Sequence, residues 1–176
     1  DNGKNVIVFD GGSFILDGLG DPRLLAPQFS SGIFLATDGV VTEPPRIPRA
    51  SELLEALLFG ISGFFKRTGV GNAVIGLSGG IDSSVSAALL VQALGPQNVL
   101  GINMPTRFSS QTTRDNASEL ARRLGIEYVV HPIEETVRHK QEAYRAITGC
   151  TMATLTFENI QARERGNVLM TYAQER

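Results

Sequence analysis

Seven consecutive residues, Ser78, Gly79, Gly80, Ile81, Asp82, Ser83 and Ser84, hold the densest chemistry in the chain. They follow an apolar run over 72–77 that ends in Gly76 and Leu77, and they precede a helix-like stretch over 83–94. Glycine lets a loop backbone take positive φ and approach a ligand closely. The loop N–H groups and the start of the helix then point at an anion. Asp82 is a carboxylate placed where phosphates would sit, and it would repel them unless a divalent cation lay between. Ser78, Ser83 and Ser84 add hydroxyl groups. Together these residues spell a magnesium–nucleotide site that grips a pyrophosphate. Glycine-rich turns also close plain strand–helix connections, so it is the whole heptad in this setting that points to phosphate. No Lys follows the glycines, which excludes a loop of the G-x-x-x-x-G-K-[ST] kind.

A loop of this type needs a sheet to hold it, and the chain supplies the pattern. The spacing predicts a strand over 72–77, a helix over 83–94 ended by Gly95-Pro96, and a strand over 98–103. After a loop over 104–110 it predicts a helix over 111–124, with Ala117, Leu120, Ala121 and Leu124 as its stripe and Gly125 as its stop. A strand over 127–130, a helix from Glu134 to about 147 and a last helix starting near 158 follow. This β-α-β-α-β order predicts an α/β fold, a parallel sheet with helices on both faces. Ligands on such sheets bind beyond the carboxyl ends of the strands, where the glycine loop and the 104–110 loop both fall.

Upstream, residues 1–39 read as β structure, with strands at 5–9 and 13–16, a turn at 17–22, and further strands at 23–26 and 32–36. A few short strands make no stable domain alone, so this segment is expected to belong to something larger. Residues 40–49 contain three of the eight prolines and read as a semi-rigid linker. Ser51 is the expected N-cap of a helix over 52–67, whose Leu53, Leu57, Ile61 and Phe64 recur at helical spacing and which Gly69 and Gly71 stop.

Bulk properties narrow the classes. With 176 residues, 42% of them hydrophobic, the chain can bury one core plus an appendage. The net charge of −2 and the absence of a basic patch argue against nucleic acid as a partner. The apolar runs are too short to span a membrane, and no signal peptide opens the chain. Cys150 stands alone, which excludes an internal disulfide and fits the cytoplasm. It could be a nucleophile or simply a small loop residue. His131 and His139 match no motif and read as structural or surface residues. Asp1 and Arg176 read as cuts in a longer chain.

The glycine loop resembles that of the pyrophosphatase-loop ATP family, whose signature is S-G-G-x-D-S. Members cleave ATP between the α and β phosphates and adenylate a substrate. Two further stretches are similar to those of glutamine-dependent NAD synthetases. Met104-Pro105-Thr106-Arg107-Phe108-Ser109-Ser110 resembles their M-P-[ST]-R-[YF]-S-S stretch. The run from Glu158 to Asn167, with sequence ENIQARERGN, resembles their E-N-[IL]-Q-A-R-x-R-G helix. The stretches over 8–14 and 26–29 look like the closing strands of the family's nitrilase-like glutaminase domain.

The resemblance implies an adenine nucleotide α-hydrolase-like sheet and three parts. Residues 1–39 would be the end of the glutaminase domain, 40–49 a linker and 50–176 the first part of the ATP-binding domain. It implies ATP-dependent amidation of deamido-NAD to NAD through an adenylated intermediate, releasing AMP and pyrophosphate, with ammonia derived from glutamine. Gly76, Leu77, Ser78, Gly79, Gly80, Ile81, Asp82, Ser83, Ser84 and Arg107 would bind ATP, and Asp82, the catalytic residue, would also bind Mg²⁺. Asn159 and Arg163, four apart on one helix face, would contact deamido-NAD. A surface ion pair is the alternative for Arg163, and an ordinary solvated loop is the alternative for Arg107 and Ser109. Glu164 stands where many relatives carry an apolar residue, which would weaken packing if the position faces inward. The family's second metal carboxylate and its glutaminase Glu-Lys-Cys triad fall outside residues 1–176, so this segment alone is expected to be inactive and to leave an unpaired sheet edge. A homo-oligomer is implied. Rival readings are an ammonia-only NAD synthetase, another adenylating amidotransferase of the pyrophosphatase-loop family, and a noncatalytic ATP-binding module.

Overall fold

The computed structural model describes residues 7–36 and 48–176. They divide into two compact units, one within 1–70 and one within 71–176.

In the first unit, Asp17 organises a hairpin. Strands β1 (Phe14–Leu16) and β2 (Pro22–Leu25) pair antiparallel, with Phe14 opposite Leu25. Between them the Asp17 carboxylate accepts the N–H groups of Leu19 and Asp21, each at 2.9 Å, and the Arg23 guanidinium at 2.7 Å. A short acidic side chain that hydrogen-bonds the backbone just ahead of it is a turn former. The strands expected at 7–9 and 32–36 do not form. A strand needs a ladder partner, and among the described residues the hairpin gains only an isolated bridge from Gly11 to Gln28. Residues 5–6, and the linker expected at 40–49 except for Pro48 and Arg49, lie outside the described residues.

Helix α1 (Arg49–Thr68) starts earlier than expected. Its cap is Pro48, at φ −58°, and the Ser51 N–H donates to the Pro48 carbonyl at 2.9 Å, so Ser51 lies inside the first turn. Gly69, at φ 71°, ends the helix as expected. The Phe59 ring meets Phe29 with centroids 6.2 Å apart, and a Cβ added at Gly60 would stand 2.8 Å from a Val8 methyl. This helix therefore packs on the first segment of the chain.

The second unit runs β3 (Ala73–Gly76), α2 (Ile81–Leu94), β4 (Val99–Asn103), α3 (Gln111–Leu124), β5 (Glu127–Val130), α4 (Glu134–Thr148) and α5 (Thr154–Gln174). The three strands form a parallel sheet in the order β3-β4-β5. All five residues of β4 are buried, as the central strand of a covered sheet must be. Alternation sends Val99 to one face, where Leu77, Ala87 of α2, and Ala117 and Ala121 of α3 complete a cluster. Leu100 and Ile102 point to the other face and meet Met104, Ile133, Val137 of α4 and Val168 of α5. Helices thus cover both faces, as the sequence pattern predicts. Ile102 is 0% exposed, a burial worth about 2–3 kcal/mol. The outer edge of β3 pairs with no strand among the described residues.

Two helix starts differ from expectation in ways that matter for the site. Helix α2 begins at Ile81 rather than at 83, because Gly80 caps it in an extended conformation and its carbonyl takes the Ser84 N–H at 3.1 Å. Asp82 therefore sits in the first turn. Helix α5 begins at Thr154 rather than near 158, its first turn closed by the Phe157 N–H on the Ala153 carbonyl at 3.0 Å. The charged run that marks this helix in the sequence starts a turn after the helix does. Phe157, Ile160, Leu169 and Tyr172 pack on the second face. Arg176 forks onto Glu127 at 2.6 and 2.7 Å, and the Tyr172 hydroxyl lies 3.3 Å from His131 Nδ1. Glu164 does face inward, its side chain only 12% exposed, but it forms an ion pair with Lys140 of α4. The partner offsets the packing cost that an unpaired acid would impose.

Gly101 tests the packing under the site. A Cβ there would stand 2.6 Å from a Leu77 methyl and 3.2 Å from one of Ile126, both in the buried cluster. We expect Gly101→Ala to cost about 1–3 kcal/mol through overpacking. In urea unfolding the midpoint should fall with the slope unchanged, and a midpoint equal to that of the parent would contradict this account of the core.

Candidate functional site

The chain leaves β3 at Gly76 and turns beneath the N-terminus of α2. Leu77 extends the ladder by one step, its N–H donating to the Ile102 carbonyl at 2.8 Å. The Leu77 side chain is 1% exposed, so the last residue before the loop is anchored in the core. Its carbonyl accepts the Asn103 side-chain amide at 2.6 Å.

Beyond Leu77 the serines brace the loop against itself. Ser78 Oγ accepts the Gly80 N–H at 3.2 Å and lies 3.1 Å from Ser83 Oγ. Ser83 Oγ accepts the Ser78 N–H at 3.3 Å and donates to the Gly80 carbonyl at 3.0 Å. Ser84 Oγ donates to the same carbonyl at 2.8 Å. The hydroxyls expected to face a ligand are thus also the groups that hold the loop in shape. The amides of Ile81, Asp82 and Ser83, at the start of α2, have no intrahelical acceptor and carry the positive end of the helix dipole. Gly79 has φ +82°, and a Cβ on it would fall 2.0 Å from the Thr113 carbonyl oxygen of α3. Only glycine gives both the backbone conformation and the contact.

A cavity of about 260 Å³ opens beside this loop. Gly76 and Ser78 line it from the loop, Asn103 and Met104 from the end of β4, Thr113 and Arg114 from the start of α3, and Arg165 and Leu169 from α5. A second space of about 480 Å³ shares Ser109 and Arg165 and is bounded by Phe108, Phe157, Glu158 and Gln161. The Phe108 and Phe157 rings meet edge to face with centroids 6.4 Å apart. The glycine loop, the 104–110 loop and the first half of α5 therefore converge on one region at the carboxyl ends of the strands.

The electrostatics of the cavity suit an anion. Arg114 donates from Nη2 to the Thr106 carbonyl at 3.0 Å, while its Nε is buried without a hydrogen-bond partner. Neither Arg114 nor Arg165 pairs with a carboxylate among the described residues. Two guanidiniums without a carboxylate partner, beside the Ser78 end of the loop, form a site for phosphate or carboxylate oxygens. Asp82 is exposed in the first turn of α2. Among the described residues no cluster of three or more His, Cys, Asp or Glu could cage a metal. A lone carboxylate beside phosphates instead fits Mg²⁺ that arrives on a nucleotide and keeps several waters.

The sequence-predicted residues separate into two groups. Gly76 to Ser84 assemble as one loop and helix start. Arg107 turns away from the cavity: its backbone N–H donates to Glu134 at 3.0 Å, its Nε lies 3.7 Å from the same carboxylate, and its guanidinium covers the Phe108 ring at 4.9 Å. Asn159 and Arg163 share an exposed face of α5 and line neither space. Ser109 does line both, and its Oγ accepts the Thr106 N–H at 3.1 Å. Sequence reasoning missed Asn103, Arg114 and Arg165. A signal for Arg165 was present: it lies four residues after buried Gln161 and three before buried Val168, so it falls on the inward stripe of α5.

The loop geometry yields a direct test. Gly79→Ala must move either the loop or the start of α3. We expect at least a tenfold loss of magnesium-ATP affinity by calorimetry and a stability loss on the order of 1–3 kcal/mol. Wild-type affinity in this variant would rule out the loop as the phosphate cradle.

Comparison with known proteins agrees with this geometry. A family model described as NAD synthase matches residues 53–176. The chain is similar to the glutamine-dependent NAD(+) synthetase of Synechocystis sp., 36% identical over 184 aligned positions that cover 98% of this chain and 32% of that protein. It is similar in structure to a glutamine-dependent NAD+ synthetase from Acinetobacter baumannii in complex with adenosine diphosphate, with a TM-score of 0.89 and 31% identity over 98% of this chain and 34% of the other. An NH3-dependent NAD synthetase from Campylobacter jejuni in complex with nitrate gives a TM-score of 0.62 and 28% identity over 70% of this chain and 52% of the other. The chain spans about a third of the length of the curated glutamine-dependent relatives it matches. With its glycine loop, its parallel sheet and this match over most of its length, the chain belongs to the NAD synthase family.

Proposed function

We propose that this chain carries the ATP-binding part of a glutamine-dependent NAD(+) synthetase, which amidates deamido-NAD to NAD. The observation that carries the reading is the serine-braced glycine loop, whose Ser78 end lines a cavity together with Arg114 and Arg165, neither paired with a carboxylate among the described residues. The match to a solved relative in complex with adenosine diphosphate supports an adenine nucleotide as the ligand.

The reaction has two steps. A carboxylate oxygen of deamido-NAD attacks the α-phosphorus of ATP, the bond from that phosphorus to the bridging oxygen breaks, and pyrophosphate leaves. Ammonia then attacks the activated carboxyl carbon, AMP departs and the amide of NAD remains. A carboxylate nucleophile needs no general base, so the protein's task is positioning and charge neutralisation. The loop amides and the first turn of α2 hold phosphate oxygens, and Arg114 and Arg165 counter the charge of the triphosphate. Asp82 would hold Mg²⁺ together with those oxygens, and the bound cation supplies further neutralisation of the departing pyrophosphate. Asn159 and Arg163 would grip deamido-NAD along the exposed face of α5, Arg163 by a forked contact to phosphate or carboxylate. A face used in this way suits a substrate shared with a second subunit, and a homo-oligomer is part of the proposal. Arg107, whose Nε lies 3.7 Å from Glu134, would reach ATP by swinging its exposed side chain away from that carboxylate.

In the same reading residues 1–39 close a nitrilase-like glutaminase domain, 40–49 link it, and 50–176 begin the synthetase domain. Supporting this, the matches that cover 98% of the chain are to glutamine-dependent proteins, whereas the NH3-dependent structure covers 70%. The ammonia would then come from glutamine. The exposed lone thiol of Cys150 suits the reducing cytoplasm, and no described helix is long and apolar enough to cross a membrane.

The test is made on the intact gene product. With Mg²⁺, ATP, deamido-NAD and glutamine or ammonium, NAD and AMP should form in equal amounts. Asp82→Ala should lower pyrophosphate release by about a hundredfold or more with the melting temperature unchanged, as expected when a charge-neutralising contact is lost. Pyrophosphate release stimulated by another acid but not by deamido-NAD would assign a different synthetase. ATP binding without any release would leave a noncatalytic module.

A further inference from the structure

We propose that Asn103 is a positioning residue of the nucleotide site, shaping the glycine loop by holding the Leu77 carbonyl with its side-chain amide. This inference rests on the ATP-binding reading above and adds a residue that neither the glycine motif nor its flanking motifs contain.

Leu77 spends its N–H on the Ile102 carbonyl at 2.8 Å, and there the β3–β4 ladder ends. The Leu77 carbonyl lies just past the last rung. A buried carbonyl without a donor costs about 1–3 kcal/mol. Asn103 supplies that donor at 2.6 Å, from a side chain only 5% exposed. Its own backbone is pinned as well, since the His131 N–H donates to the Asn103 carbonyl at 2.8 Å. Asn is disfavoured in strands and costly to bury, so nothing about packing calls for it here. Leu or Val would fill the space. What the position uses is the N–H donor.

The consequence reaches the ligand through peptide planarity. The Leu77–Ser78 peptide is planar and trans, so its carbonyl and its N–H point in opposite directions. With the carbonyl held by Asn103, the Ser78 N–H is directed to Ser83 Oγ, where it is found at 3.3 Å. That serine in turn holds the Gly80 carbonyl at 3.0 Å, at the cap of α2. Asn103 thus sets the first link of a chain of hydrogen bonds that ends at the Gly80 carbonyl, the cap of α2.

A carboxyl in place of the amide separates this role from simple volume filling. Protonated, the carboxyl of N103D donates to the Leu77 carbonyl as the amide does. Ionised, it sets two acceptors against each other. Burial and the carbonyl raise its pKa, whereas Arg114 and Arg165, which line the same cavity, lower it. His131, whose backbone N–H donates to the Asn103 carbonyl, is common to all the variants, so comparison with the wild type and N103L over the same pH range removes its contribution.

The experiment measures magnesium-ATP affinity by calorimetry on the intact gene product between pH 5 and about 9. N103D should bind close to wild type at the acidic end and at least tenfold more weakly once its carboxyl ionises. N103L, of the same branched shape but without a donor, should be about tenfold weaker at every pH. In turnover, both variants should raise the KM for ATP with little change in the KM for deamido-NAD. N103L binding like the wild type, or an N103D profile parallel to that of the wild type, overturns the assignment, and N103L alone decides it where N103D does not fold. A wild-type protein that binds no magnesium-ATP overturns the nucleotide reading itself.

Discussion

The parallel pairing of β3 with β4 is the constraint on which the rest of the second unit depends. Parallel strands cannot be joined by a tight turn, so each must be followed by a crossover helix. That rule puts the start of α2 at the carboxyl end of β3 and the start of α3 at the carboxyl end of β4. The 77–80 loop and the 104–110 loop become neighbours without any direct sequence signal between them. The pairing also decides how closely they meet, because Thr113 approaches Gly79 to a distance that no side chain would allow. The inward face of α5 then closes the region from the other face of the sheet.

Charge is handled in two ways in this unit, and the contrast marks the site. Where an acid turns inward between helices, as Glu164 does, a lysine of the facing helix meets it. At the chain end, Glu127 and Arg176 form a forked pair on the surface. Beside the glycine loop the pattern reverses: among the described residues Arg114 and Arg165 border the cavity without a carboxylate partner, and Arg114 Nε is buried without a hydrogen bond. Half-buried cations without a carboxylate partner fit a place where a ligand supplies the opposite charge. The loop itself spends its serine hydroxyls on internal bonds, which leaves the backbone amides as the groups presented outward. A cradle made of backbone suits phosphate, whose oxygens accept from any N–H that is held in place.

Much of this was legible in the chain. Strands and helices of the second unit follow from alternation, apolar stripes and glycine stops, and the heptad from Ser78 to Ser84 names its own chemistry. The errors fall where local pattern and hydrogen bonding disagree. Helix α5 starts at Thr154 although its charged motif starts a turn later, and Pro48 rather than Ser51 caps α1. In the first segment, apolar runs at 7–9 and 32–36 have strand composition but no ladder partner among the described residues, so composition alone does not make a strand there. Arg107 and Arg163 are prominent in their motifs, yet one is held by Glu134 and the other lies on an outer face, while Arg165 turns inward.

The sequence by itself determined the elements, their order, the parallel sheet and the phosphate-type loop, because these rest on periodicities and on glycine's backbone freedom, which are local properties. Only the tertiary structure decided which side chains reach that loop. Asn103, Arg114 and Arg165 come from three different elements, and their meeting depends on strand register, helix rotation and the height of each helix above the sheet. Those quantities are set by how the two buried clusters pack on the faces of β4, a result of many contacts at once that no short stretch of sequence encodes.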